Sequence, residues 1–294
     1  FHDQMQFAVK ILMNTFYGVF ASAFYRFTHP DIGSAITAWA RSNIKKIIHS
    51  LEEEGHPVVY SDTDSIFVSS PEEGKDALIS FGHELASRFT KEGAELEFEK
   101  GLSVFFSHGA KKRYVGRVVW PEEELLIRGY EVRRTDSFDL LNQTMMGTFE
   151  RILDGDEEGA YKHVINLIRS VKAGEVEVSD LILSRSCKGK VLKDGTVDFS
   201  VYSNPDGLPY VQAARKRIAR GLSFTPGMKV SYIVTAAKDE NGRQAVEPWL
   251  VAETGDAPPV PDWNFYAERL AKAMGRITEV YGWSEKDLLA GSRQ

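Results

Sequence analysis

The segment Val-Val-Tyr-Ser-Asp-Thr-Asp-Ser-Ile-Phe-Val, residues 58–68, has two apolar flanks and a polar centre. The flanks are rich in β-branched and aromatic residues, which predicts two short strands joined by a tight turn. Asp62 and Asp64 stand at that turn, one residue apart. One interpretation is a polar turn, because aspartate favours turns. The other is a site for divalent cations, because Mg²⁺ prefers carboxylate oxygens and a pair of ions promotes phosphoryl transfer.

The composition of the 294-residue chain is that of a globular protein with one large or two medium domains. No apolar run approaches the roughly 18 residues of a membrane span. The single cysteine, Cys187, excludes an internal disulfide and a cysteine-built zinc site, and it fits a reducing compartment. The charge is uneven, since residues 51–100 hold 4 Lys and Arg against 13 Asp and Glu, whereas 185–220 hold 8 against 3. These blocks fit a metal site beside a phosphate track, and they equally fit an ordinary surface.

The periodicity of apolar residues changes along the chain and predicts an α+β fold. In the first half, we expect one helix over 4–24, a second helix from a cap at Ser34 to a stop at Gly55, and a third helix around 78–89. We expect strands over 58–68 and 96–120. In the second half, we expect helices over 136–154, 159–173, 209–221 and from Trp263, strands over 228–236 and 246–252, and a proline-rich linker at 257–261.

A second motif, Lys-Ile-Leu-Met-Asn-Thr-Phe-Tyr-Gly, occupies residues 10–18. On a helix, Lys10, Asn14 and Tyr17 share one face. That face would offer an ammonium group, an amide and an aromatic edge, and Gly18 would permit another group to approach the backbone closely. An amphipathic helix with a solvated stripe is the simpler interpretation of the same spacing.

A third motif, Lys-Lys-Arg-Tyr, occupies residues 111–114, with Arg117 beyond it. Charged residues on a solvated edge strand, which oppose aggregation, would explain it. A clamp on a nucleic-acid backbone would explain it as well, because cations bind phosphates and a phenol can form hydrogen bonds.

In this order the three motifs resemble those of the family B DNA polymerases. Residues 60–65 are similar to the family's Y-x-D-T-D-S hairpin, and residues 10–18 to its K-x-x-x-N-S-x-Y-G fingers helix, with Thr15 for the usual serine. Residues 111–114 are similar to its duplex-gripping motif. The resemblance runs the whole length and is weakest over 185–208. It implies a polymerase palm, an antiparallel sheet with helices, followed by a mostly helical thumb.

The resemblance also implies a role for each matching residue. Asp64 would be the main ligand of two Mg²⁺ ions with Asp62 as its supporting acid, and Glu97 and Glu99 stand where the family carries auxiliary carboxylates. The residues implied to contact the incoming deoxynucleoside triphosphate and the nascent base pair are Lys10, Asn14, Tyr17 and Gly18. The residues implied to hold primer–template DNA are Lys111, Lys112, Arg113 and Tyr114 and, in the thumb, Arg215, Lys216, Arg217 and Arg220.

The family's second metal-binding aspartate belongs to a D-x-x-S-L-Y-P-S strand that precedes the fingers helix. Residues 198–205, Asp-Phe-Ser-Val-Tyr-Ser-Asn-Pro, imitate it with altered spacing after the hairpin, and we interpret them as a thumb loop. We therefore expect the C-terminal portion of a polymerase. Its parts would be a fingers helix over 1–25, a palm over 26–134 and a thumb over 135–294, with the palm–thumb boundary between 108 and 135.

Two functions remain open at this point. The first is a DNA-directed DNA polymerase, a nucleotidyltransferase that needs an N-terminal segment or subunit with the exonuclease, the first part of the palm and the other fingers helix. A sliding clamp is a further candidate partner. The second is a non-catalytic DNA-binding subunit of a polymerase complex, which would have no need of Asp62, Asp64, Lys10 and Tyr17. In a bacterial or archaeal host, we expect the chain in the cytoplasm at the nucleoid, away from membranes.

Overall fold

The structure is a computed structural model that describes residues 2–22, 24–26, 28–93, 95–130, 137–238, 242 and 244–293, without the side chain of Asp3. It mixes helices with small antiparallel sheets, which confirms the predicted α+β class. The elements of the first half are α1 (His2–Ala21), α2 (Pro30–Glu53), β1 (Val58–Asp62), β2 (Ser65–Val68), α3 (Lys75–Lys91), β3 (Gly101–Phe106), β4 (Tyr114–Trp120) and β5 (Glu124–Arg128). Those of the second half are α4 (Asp139–Leu153), α5 (Glu157–Ala173), β6 (Leu183–Ser186), β7 (Lys190–Val191), β8 (Val197–Asp198), α6 (Pro209–Ala219), β9 (Lys229–Lys238), β10 (Gln244–Pro248), α7 (Val251–Thr254), α8 (Trp263–Thr278) and α9 (Glu285–Ala290).

The chain divides into two compact units, which do not follow its linear order. Unit 1 comprises Phe1–Ser103 and Val118–Glu124, and unit 2 comprises Val104–Arg117 and Leu125–Gln294. The chain therefore passes from one unit to the other three times, once inside each of the strands β3, β4 and β5. These units do not coincide with the expected fingers, palm and thumb boundaries, so that three-part division stays a prediction.

Unit 1 carries the three long helices α1, α2 and α3 and the hairpin of β1 and β2. Helix α2 begins at Pro30, since a proline in the first turn lacks only an N–H group that would have no partner there. The cap predicted at Ser34 is therefore wrong, because Ser34 lies inside the helix. Helix α2 ends near the predicted position, and Gly55 follows it with a φ of +81°, a backbone conformation that favours glycine.

The core of unit 1 is small. Its one cluster of buried apolar side chains consists of Ile47, Leu51 and Phe89, and the hairpin packs against this cluster with half-buried valine and isoleucine side chains. Helix α1, by contrast, exposes most of its large apolar side chains. They are Met5, Phe7, Val9, Ile11, Leu12, Met13 and Phe16.

Unit 2 has a large core between helices and a sheet. Strands β10, β9 and β6 form an antiparallel sheet in that order, with Leu183 opposite Tyr232. Helix α5 packs against α4 and α8, and α6 packs on β9 and β10. The hydroxyl of Tyr266 on α8 accepts a hydrogen bond from the Val234 amide at 3.0 Å, which joins the helical layer to the sheet.

Several boundaries differ from the sequence expectation for physical reasons. Residues 95–100 belong to no strand or helix, so the predicted strands over 96–120 begin only at Gly101. The strand predicted over 246–252 ends at Pro248, and Val251–Thr254 forms one helical turn. Strands β5, β6, β7 and β8 were not predicted, since each is short and lacks a full apolar alternation.

Candidate functional site

The tip of the β1–β2 hairpin is a strained three-residue turn. The Asp64 amide donates to the Asp62 carbonyl at 2.6 Å, and Thr63 between them has a φ of +54°. Together these features define a γ-turn with a positive φ, which is rare, and a β-branched residue makes it rarer still. Such backbone strain costs on the order of 1–3 kcal/mol and persists where the surrounding structure enforces it. Here the paired strands on both sides enforce it.

Hydrogen bonds and ring packing fix this tip further. The Thr63 hydroxyl donates to Asp62 Oδ1 at 3.1 Å, and the Ser65 hydroxyl donates to the Asp62 carbonyl at 3.1 Å. Just behind the turn, the rings of Tyr60 and Phe67 meet edge to face, with centroids 5.6 Å apart. Asp62 is half-buried and Asp64 is exposed. The turn therefore presents Asp64 to solvent from a rigid base.

The carboxylates of this hairpin fit Mg²⁺ by their chemistry, because both supply hard oxygen donors. They do not complete a metal site by themselves. Among the residues that the structure describes, no three acidic, histidine or cysteine side chains gather closely enough to bind one ion.

Glu97 and Glu99 belong to the extended segment that leads into β3. Both are exposed, whereas Phe98 between them turns inward and stacks on Trp120, with ring centroids 4.5 Å apart. The segment is also held at its start, where the Thr90 hydroxyl bonds both the amide and the carbonyl of Leu96. Both glutamates are thus placed on the solvent side of a fixed segment in the same unit as Asp62 and Asp64.

The predicted triphosphate face lies on helix α1, as expected. Lys10, Asn14 and Tyr17 are all exposed, and Tyr17 has 41% of its surface accessible. Gly18 lies within the helix, and a Cβ atom added there would meet nothing within 4 Å. Glycine weakens a helix by about 1 kcal/mol relative to alanine. Since the space around Gly18 is open, packing among the described residues does not explain why a glycine stands at this position.

The Lys-Lys-Arg-Tyr motif lies in a turn followed by a central strand. The Arg113 amide donates to the Ala110 carbonyl at 3.2 Å, and Lys112 has a φ of +61° at the third turn position, where glycine or asparagine is usual. Tyr114 begins β4, which has β3 and β5 as its neighbours. The interpretation as a solvated edge strand therefore does not fit, although the motif's role in DNA binding stays a prediction. Arg117 pairs with Asp154 at 2.8 Å.

Sequence reasoning missed the residues that support this turn. Gly129 has a φ of +72°, and an added Cβ atom would lie 1.9 Å from the Lys112 carbonyl oxygen. Only glycine permits that approach. Nearby, Tyr130 and His108 have rings 6.5 Å apart, and neither Tyr130 Oη nor His108 Nε2 has a hydrogen-bond partner among the described residues. Burial raises the pKa of Tyr130 to about 12. The sequence signal was Gly129, a glycine directly after the short strand β5.

The four thumb cations predicted to contact DNA all form ion pairs with carboxylates. Arg217 is nine-tenths buried and donates two hydrogen bonds of 2.5 Å to Glu253. Lys216 and Arg220 both pair with Glu247, at 2.5 and 2.7 Å. The fourth pair joins Arg215 to Asp206 at 2.5 Å. Their predicted contact with DNA is untested, and these partners already satisfy each of the four charges.

None of the described helices is both long enough and apolar enough to cross a bilayer.

Comparisons with known proteins agree with the motifs. The family model for DNA polymerase family B matches residues 1–281. The chain is 30% identical over 294 residues to DNA polymerase 2 of Aeropyrum pernix and 29% identical over 295 residues to a DNA polymerase of Thermococcus gorgonarius. These matches cover 99% and 97% of this chain but only 34% and 36% of the relatives, so the chain spans about a third of their length.

A similar fold is found among solved structures. The family B DNA polymerase from the hyperthermophilic archaeon Pyrobaculum calidifontis matches with a TM-score of 0.63 and 24% sequence identity. That match covers 95% of this chain and 34% of the solved one. At this identity the likeness concerns the fold alone.

Proposed function

This chain belongs to DNA polymerase family B, and from that premise we propose that it is the C-terminal part of a template-directed DNA polymerase that acts by a two-metal mechanism. The observation that carries the proposal is the strained turn at Thr63, which holds Asp62 and Asp64 at the tip of a rigid hairpin. Strain of this kind lowers stability, and it accumulates at sites where geometry serves function. A hairpin that needed only a polar tip would gain stability from glycine at position 63.

In this proposal each side chain has a task that follows from its chemistry. Asp64, which is exposed, is the main metal ligand, and the half-buried Asp62 supports it, with Glu97 and Glu99 as auxiliary acids. These carboxylates would hold Mg²⁺ ions, whose positive charge would activate the primer hydroxyl and stabilise the charge on the leaving phosphate. Because the hairpin is rigid before metal and substrate bind, little reorganisation is needed at the moment of reaction.

Helix α1 provides the nucleotide-binding side of the proposed site. Lys10 would place an ammonium group on the triphosphate, and Asn14, one turn on, would donate or accept a hydrogen bond. Tyr17 and Gly18 would lie against the minor-groove edge of the new base pair. The open space around Gly18 supports this role, because the glycine would then serve a close approach by a base pair.

A segment outside this chain completes the site in our proposal. Two observations support it: the described residues do not assemble three metal ligands, and α1 exposes a row of large apolar side chains. Exposed apolar patches of this kind usually mark surfaces that another polypeptide covers. The proposed segment brings the second metal-binding aspartate and covers α1.

The experiment uses a chimera in which this chain replaces the matching third of the Aeropyrum pernix relative. We expect the chimera to extend a primer with Mg²⁺, and the 294-residue chain alone to bind primer–template without extending it. Asp64→Ala in the chimera should reduce incorporation at least about a hundredfold with DNA affinity retained, because its charge acts mainly in the transition state. Glu84→Ala removes an exposed acid of the same unit and serves as the matched control.

The outcomes separate the two functions. Extension that survives Asp64→Ala would contradict the assignment of the metal ligand, and extension by the chain alone would contradict the need for a partner. A folded chimera that binds primer–template and never extends it would favour the non-catalytic DNA-binding subunit.

A further inference from the structure

Residues 257–261, Ala-Pro-Pro-Val-Pro, connect α7 with α8 and form neither helix nor strand. We call them the proline segment. Each proline fixes its own φ, and a residue that precedes a proline is kept out of the helical region. Together these restrictions favour the extended polyproline II helix, which has three residues per turn. Ala257 and Val260, three positions apart, would therefore lie on the same edge of the segment.

The proline segment is fixed at one end and exposed along the rest. Pro261 is buried, and the amide of Asp262 after it donates to the Val234 carbonyl at 2.8 Å. Pro258 is exposed, and Val260 has 75% of its surface accessible. A simple connection between two helices would favour a polar residue at so open a position. Because the conformation of the segment is largely set in advance, a binding partner would lose little free energy by ordering it.

Unit 1 contains a groove with aromatic walls. Phe98 stacks on Trp120, as described above, and the ring of His83 meets both of them edge to face, with centroids 5.1 and 5.3 Å away. Gly82 on α3 permits this packing, because an added Cβ atom would lie 2.4 Å from the Phe98 ring. We call the space lined by His83, Phe98 and Trp120 the aromatic groove, and its volume is about 480 Å³. The packed rings give the groove a firm wall.

The proline segment and the aromatic groove are complementary in shape and charge. Proline-rich segments bind in grooves lined by aromatic rings, because their polyproline II helix is formed before binding. Lys91 lines the groove and forms no ion pair with any residue that the structure describes. Asp256, directly before the proline segment, is exposed and has no cationic partner among the described residues either. Glu97 also lines the groove, so Asp256 would have to lie on the side of Lys91.

We propose that the aromatic groove of one copy of this chain binds the proline segment of a second copy. A second copy is the occupant because one chain carries both the groove and the segment that fits it. Val260 and Pro258 of the second copy pack on Trp120, and its Asp256 pairs with Lys91. Self-association of this kind is separate from DNA synthesis, so it does not depend on the proposed function.

The first measurement follows the fluorescence anisotropy of a labelled peptide of residues 254–261, Thr-Gly-Asp-Ala-Pro-Pro-Val-Pro, as the 294-residue chain is added. We expect the wild type to bind it and Trp120→Leu to bind it at least about tenfold more weakly. Trp39→Leu changes an exposed tryptophan of the same unit and is the matched control. A Pro258→Ala/Pro259→Ala peptide should bind about tenfold more weakly, because its conformation is no longer set in advance.

An exchange of charges tests the ion pair and leaves the rings in place. Lys91→Glu should bind the wild-type peptide about fivefold more weakly, and it should bind an Asp256→Lys peptide more tightly than the wild-type chain does. Lys45→Glu reverses another exposed lysine of unit 1 and should change neither affinity. If circular dichroism showed Trp120→Leu to be unfolded, this exchange would still decide whether the peptide binds in the aromatic groove.

Sedimentation equilibrium of the whole chain then identifies the occupant. We expect the wild type to self-associate at concentrations above the Kd of the peptide, and Lys91→Glu and Pro258→Ala/Pro259→Ala to self-associate more weakly. A peptide that failed to bind, or that bound folded Trp120→Leu and Lys91→Glu as tightly as the wild type, would overturn the groove. A chain that stayed monomeric while the peptide bound would overturn the second copy as occupant. Self-association that survived both variants would place the contact elsewhere and overturn the proposal as well.

Discussion

The two units differ most in how they bury their apolar side chains. Unit 2 encloses Phe149, Ile168, Leu270 and many others in one continuous core, so its helices are amphipathic and inward-facing. Unit 1 closes only a small cluster around Leu51 and leaves the apolar residues of α1 exposed. Since exposed apolar area lowers stability in water, unit 2 accounts for most of the stability of the chain. Unit 1 carries the predicted site residues, and its helix α1 exposes its large apolar side chains.

The largest expected difference concerns one phenylalanine from each unit. Phe149→Ala should lower the free energy of unfolding by about 3–5 kcal/mol, because Phe149 is fully buried against Tyr130 at a centroid distance of 4.8 Å. Phe16→Ala on α1 should change it by less than about 0.5 kcal/mol, since Phe16 is 52% exposed. Urea unfolding followed by circular dichroism measures both. Equal losses would mean that α1 is covered in the isolated chain.

A smaller difference is expected between two arginines of α6. Arg217→Ala should cost about 2–3 kcal/mol, since it removes a nearly buried guanidinium with three hydrogen bonds, to Glu253 and to the Ser223 carbonyl. Arg215→Ala should cost less than about 1 kcal/mol, because its pair with Asp206 is exposed and screened. Unfolding curves at low and high salt would distinguish them. A large, salt-sensitive loss at Arg215 would contradict this ranking.

Two helical glycines, one from each unit, should give effects of opposite sign. Gly18→Ala should stabilise the chain by up to about 1 kcal/mol, because the added methyl group meets nothing and alanine favours the helix. Gly275→Ala on α8 should destabilise it by about 1–3 kcal/mol, since the new Cβ would lie 2.9 Å from the backbone nitrogen of Glu285. Thermal and urea unfolding give both signs. A destabilised Gly18→Ala would show that its surroundings are already filled.

The hairpin of residues 58–68 could be predicted from the sequence because its strands and turn are local features. The ion pairs of Arg217 and Arg220 could not, since Glu253 and Glu247 follow them by 36 and 27 positions and nothing local marks them as neighbours. The same holds for Gly129, where only glycine leaves room for the carbonyl of Lys112 in the turn between β3 and β4. The hairpin of β7 and β8 escaped prediction because two residues per strand are too few to show an alternation.

The three crossings of the chain between the units have a practical consequence for protein engineering. Unit 2 begins at Val104, but Val118–Glu124 belong again to unit 1. No single cut in the sequence therefore yields either unit whole. A truncation after Ser103 would remove a strand segment from unit 1, and one after Glu124 would carry along residues 104–117 of unit 2. Anyone who wishes to express the two units separately must therefore connect the two segments of each unit with a new linker rather than shorten the chain.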